Sequence, residues 1–140
     1  MTIDGIIECL VNATGPARKV DVGIATAIDG YVLEKRKRDR KQWLYKIDDG
    51  SLHARRRDPE YAIMGEYPRL TMSIDAVVSL CERVLPEANC YGVAKDKTGW
   101  TAFVSRNDVA SGHWLVEADG QTAPIALLLA ILRAKARLNG

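Results

Sequence analysis

Apolar residues return at helical spacing over the first stretch of the chain. Ile3, Ile6, Ile7, Leu10 and Val11 fall at i, i+3, i+4, i+7 and i+8, which predicts a helix with one apolar face and Thr2 as its cap. Thr14-Gly15-Pro16 ends it. Glycine tolerates the left-handed cap, and proline can open the next helix at its first turn. Val20, Ile24, Ala27 and Ile28 repeat the period, and Gly30 closes the second helix. Two short helices with a tight link are expected to pack as a pair.

The pattern then changes to period two. Tyr31-Val32-Leu33 predicts a short strand, and Trp43, Tyr45 and Ile47 alternate with Leu44 and Lys46 as a second. Asp48-Asp49-Gly50 is a turn. From Ser51 to Met72 no period is visible, so a hairpin with a charged tip and then a long irregular connection are expected. Helical spacing resumes with Ile74, Val77, Leu80, Cys81 and Val84, capped by Ser73, helped by Asp75 and stopped by Pro86. Tyr91 to Ala94, Trp100 to Val104 and His113 to Ala118 read as three strands, with Asp96-Lys97-Thr98-Gly99 turning the first into the second. Thr122 caps a last helix whose residues Ile125 to Leu132 are apolar nearly all round. A helix without a polar face belongs between a sheet and another layer. Arg133, Lys135 and Arg137 would complement the dipole at its end. The expected fold is α+β, one domain over 1–140 in the order α-α-β-β-α-β-β-β-α, an antiparallel sheet with helices packed as a sandwich.

Composition supports a folded chain. Of 140 residues, 47% are hydrophobic and 27% charged, ordinary globular usage. Twenty basic and 18 acidic residues leave a net charge of only +2, so no global field points to nucleic acid or to a membrane. No apolar run nears the roughly 18 residues of a spanning helix, and the first residues lack the pattern of a signal peptide. Cys9, Cys81 and Cys90 make an odd count, which favours reduced thiols in a cytoplasm. With His53 and His113 they form no metal-ligand spacing, so neither metal nor cofactor is expected.

Catalytic chemistry finds little to stand on. No nucleophile elbow, phosphate loop or dinucleotide fingerprint is present. His53 lies beside Arg55-Arg56-Arg57 and His113 opens a strand, poor settings for a general base. Asp48, Asp49 and Asp96 read as turn formers, and Asp21 and Asp75 as helix carboxylates. The expectation is a non-enzyme.

Charge is uneven, however. Between Glu34 and Asp58 stand ten basic residues and five acidic ones, half of the chain's Lys and Arg. Lys35, Arg36, Lys37, Arg38, Arg40, Lys41, Arg55, Arg56 and Arg57, with Trp43 for anchoring or stacking, form the candidate partner-binding surface. Such a surface suits an acidic macromolecular partner, a protein ahead of a nucleic acid. The competing reading is a solvated hairpin whose charges keep an edge strand from pairing. The α-β-β-β-α order of the second half also matches double-stranded-RNA-binding domains. Those grip phosphates with lysines at the start of the last helix. Here that position reads Gln121-Thr122-Ala123-Pro124-Ile125-Ala126, without a positive charge.

Three segments, ATGPARKVDVGIATAI, PRLTMSIDAVVSLCERVLPE and DGQTAPIALLLAILRAKA, resemble the family of small phage proteins carrying the phage αβα-sandwich domain. Its members read ATGPxRELDxxIAxAL, then a tryptophan-rich hairpin, then PxYTxSxDAAxxLxP, and finish with AxTxPLALxxAALRA. Arg69-Leu70-Thr71 stands where the family has an aromatic residue before the threonine, and the basic run is an addition. The resemblance implies a phage or prophage origin, an α+β sandwich and no catalytic residues. The function expected is that of an accessory protein acting in the host cytoplasm by binding a macromolecule. A host-factor or host-defence inhibitor of the anti-CRISPR kind is one concrete form; a nucleic-acid-binding module using 34–57 is the alternative.

Overall fold

The last helix is the element around which the others are laid. The computed structural model describes residues 2–28, 32–35, 43–46, 52–56, 69–108 and 112–139. Among them the chain forms four helices and two three-stranded antiparallel sheets, an α+β fold.

Helix α1 (Ile3–Val11) starts where expected, with Thr2 Oγ1 accepting the Gly5 N–H at 3.1 Å. Ile6 and Leu10 are buried, and Val11 is exposed. Its end differs from expectation. Asn12 is the cap, in the right-handed region, and Gly15 does not take the left-handed backbone; Gly99 and Gly112 are the described glycines that do. Helix α2 (Arg18–Ala27) has Ala17 as its N-cap, so Pro16 precedes the cap instead of opening the first turn. Its buried residues run from Val20 to Ala25 and include Asp21, while Ala27, expected inside, is exposed. α1 and α2 pack together.

Strands β1 (Val32–Lys35), β2 (Trp43–Lys46) and β3 (Leu52–Arg56) form the first sheet, in that order. β1 and β2 are the expected hairpin. β3 corrects the expectation of an irregular connection from Ser51: its sequence, Leu-His-Ala-Arg-Arg, alternates over Leu52 and Ala54 alone, too short to read as a period, yet its backbone pairs with β2 across a bulge between Tyr45 and Lys46. A ladder needs only backbone donors and acceptors, so strands can form where side-chain period is silent. Tyr31, Ile47 and the turn at Asp48-Asp49-Gly50 lie outside the described residues.

Helix α3 (Ile74–Val84) is capped by Ser73, whose Oγ accepts the Ala76 N–H at 3.3 Å, and it stops at Leu85 before Pro86. Strands β4 (Cys90–Asp96), β5 (Gly99–Asp108) and β6 (Gly112–Gly120) follow as a meander. The first turn is held by Asp96 Oδ1, which accepts from the Thr98 N–H, the Thr98 hydroxyl and the Gly99 N–H at 2.7, 2.7 and 3.1 Å. Those bonds favour the ionised form and hold the Asp96 carboxyl below its ordinary range. Gly99 supplies the φ of 143° that the turn requires.

Helix α4 (Ala123–Asn139) crosses β5 and β6 over Ala102, Val104 and Ala118, and α1 and α3 cover its other side. Ile125 through Leu132 are each at most 1% exposed, which is why this helix has no polar face. Of the three basic residues expected near its end, Arg137 stands in the last turn as expected. Because the helix runs to Asn139, Arg133 lies more than a turn before its end. Lys135 Nζ donates to the Val84 carbonyl, at the end of α3, at 3.5 Å. Arg137 reaches the Leu115 carbonyl on β6 at 3.5 Å.

Candidate functional site

The first sheet carries part of the basic surface singled out in the sequence. Its register pairs Lys35 with Trp43 and Trp43 with Arg56, so these three residues make one row across all three strands. Leu33, Tyr45 and Ala54 form the row two steps away; Glu34, Leu44 and Arg55 form the row between. Successive rows of a pleated sheet belong to opposite faces. Lys35, Trp43, Tyr45 and Arg56 therefore share one face, and Arg55 is placed with Glu34 on the other. Arg36, Lys37, Arg38, Arg40, Lys41 and Arg57 lie outside the described residues.

A second polar feature was not singled out in the sequence. Asp21 and Thr71 are the buried polar residues among those described, each 1% exposed. The Asp21 carboxylate accepts the Thr71 N–H at 2.9 Å and pairs with Arg18 at 3.4 Å, and the Arg18 side chain is only 16% exposed. Thr71 Oγ1 in turn accepts the N–H of Ala17 at 2.8 Å. Ala17 offers no capping side chain to α2, and Thr71 reaches its N–H from 54 residues away, as the reciprocal half of a capping box does locally. Burial pushes the Asp21 carboxyl above its ordinary range, against the lowering pull of the Thr71 N–H and of Arg18. With its hydroxyl turned inward between Ala17 and Asp21, Thr71 is closed to a substrate. The cluster is a clasp between α2 and the chain entering α3. In the sequence Asp21 read only as a helix carboxylate.

A cleft of about 450 Å³ opens at the far end of the second sheet, between the end of α1, the β4–β5 turn, the end of β6 and α4. Trp100, Asp119, Gln121 and Arg133 line it. In the sequence Asp119 marked only a strand end and Arg133 only a helix dipole, because nothing local brings them together. Among the described residues no group of three His, Cys, Asp or Glu side chains is placed to hold a metal ion. Nor is any described helix long and apolar enough to cross a membrane. Comparison of the chain with protein-family models, with curated proteins and with solved structures finds no match.

Proposed function

We propose that this chain is a non-enzymatic accessory protein that binds an acidic macromolecular surface, a protein in the first instance, through the β1–β3 sheet. The observation that carries the reading is the row Lys35–Trp43–Arg56, two cations flanking an aromatic residue across three paired strands. Aromatic anchors bordered by charge are the usual composition of a binding hot spot. A phage origin and a target among host proteins rest on the three quoted segments alone. Nucleic acid is the second reading, and Tyr45 on the same face as Trp43 favours it, since two aromatic residues beside cations suit stacked bases.

The test is capture from bacterial lysate by the parent and by Lys35→Glu/Arg56→Glu, each with and without nuclease. The expected result is a protein retained by the parent after nuclease and lost with the double reversal, with a cooperative melt retained, because the two charges are assigned to partner attraction. Loss on nuclease treatment transfers the reading to nucleic acid, where affinity falls log-linearly with salt. Equal retention by parent and variant overturns both.

A further inference from the structure

We propose that the cleft between α1, α4 and the end of the second sheet binds a small zwitterion with an apolar side chain, an α-amino acid or dipeptide. This site is separate from the β1–β3 surface and does not depend on that reading. Its volume of about 450 Å³ falls at the lower end of the range of small-ligand pockets, the size of one or two residues.

The lining supplies three kinds of contact. Arg133 lines the cleft from α4, one turn after Leu129, and no described residue makes a hydrogen bond or ion pair with it. Asp119 lines the cleft from the end of β6, and its Oδ1 accepts the Thr101 hydroxyl at 2.9 Å, which fixes the carboxylate. The two opposite charges line one cleft yet stand beyond ion-pair distance of each other. A ligand carrying both charges a few ångströms apart satisfies both at once, whereas a simple anion or cation would meet one of them as a repulsion. The third contact is apolar. Trp100, Leu129 and Val11 border the same space, and Val11 is 55% exposed although α1 otherwise turns its apolar residues inward.

Orientation follows from charge. A carboxylate goes to Arg133, where a planar fork accepts it in two parallel hydrogen bonds, and an ammonium goes to Asp119. The Trp100 ring already has Lys95 Nζ 5.9 Å from its centroid. A second ammonium is disfavoured on the face that Lys95 covers, and the ring's apolar surface suits the ligand's side chain.

The experiment is calorimetric titration of the full chain with L-leucine, L-phenylalanine and the dipeptide Leu-Phe. N-acetyl-L-phenylalanine and L-phenylalanine methyl ester serve as probes lacking one charge each. At least one zwitterion is expected to bind, and capping either charge should weaken it about tenfold or more, as for a lost charge-assisted hydrogen bond. Arg133→Gln should make the free acid and its ester bind alike. Asp119→Asn, which keeps an acceptor for Thr101, should do the same for the amine and its acetylated form. Arg133→Lys should restore part of the preference for the free acid. No heat from any of the three zwitterions at millimolar concentration overturns the proposal, as does capping that leaves affinity unchanged on the parent chain, a result independent of how any variant folds.

Discussion

Thr71→Val removes one hydroxyl from the clasp and keeps the shape of the side chain. The hydroxyl oxygen accepts the Ala17 N–H at 2.8 Å, its shortest bond. Its single proton can go to the Ala17 carbonyl at 3.3 Å or to Asp21 Oδ2 at 3.5 Å, not to both, and both are long. The cost therefore lies in the Ala17 donor, stranded in a half-buried place without a partner. Stranding a buried donor costs about 1–3 kcal/mol, and partial burial puts this one in the lower half, about 1–2 kcal/mol. For a domain of this size that lowers Tm by roughly 3–8 °C. Urea titration is the assay: the midpoint should fall while the slope stays that of the parent, since no surface is newly exposed in the folded state. A midpoint equal to the parent's would refute the assignment of Thr71 as the cap of α2.

The same clasp has a pH signature. Because burial raises the folded Asp21 carboxyl above its ordinary 3.8, the folded state holds this proton more tightly than the unfolded chain. Stability contributed by the protonated form is complete below the ordinary value and is lost as pH rises through the raised one. Asp21→Asn keeps an acceptor for the Thr71 N–H and carries no such proton. The stability of the parent minus that of the variant should accordingly be greatest below pH 3.8 and fall as pH rises through the raised value, with the other carboxylates cancelling in the comparison. A parent-minus-variant difference that rises with pH would mean that Arg18 outweighs burial at this site.

Two further outcomes test the core and the thiols. Leu128, fully buried in α4, admits no charge, so Leu128→Asp should abolish the cooperative transition; a melt within a few degrees of the parent would refute the central place given to that helix. Burial, and then the charges of Glu82 and Glu87, push the Cys81 thiol up to about 11. With Ellman's reagent at pH 8, exposed Cys90 should react first, half-buried Cys9 more slowly and Cys81 only in denaturant; peptide mapping showing Cys81 modified as fast as Cys90 would refute this.

How much of this was legible in the sequence depends on the range of the forces involved. The four helices announced themselves because apolar period, cap and stop signal are all local: Thr2 before Ile3, Ser73 before Ile74, Pro86 after Leu85. The period of Ile125 to Leu132 even told what lay around it, since a helix apolar on every side must be covered on every side. β3 was hidden because its ladder draws on the backbone of β2 and asks nothing of its own side chains. With it was hidden the row that joins Lys35, Trp43 and Arg56, which depends on register and not on spacing. The clasp was half visible. Asp21 could be seen only as a carboxylate on a helix, and the partner that its burial requires stands 50 residues away at Thr71. The cleft was invisible for the same reason, its two charges coming from the end of a strand and the side of a helix. Local order in this chain is written in period, whereas each candidate site is assembled from residues that only the sheets and the α4 packing bring together. A substitution that spares every helix can therefore still dismantle a site, and the clasp, the sheet row and the cleft can be tested one at a time without unfolding the core.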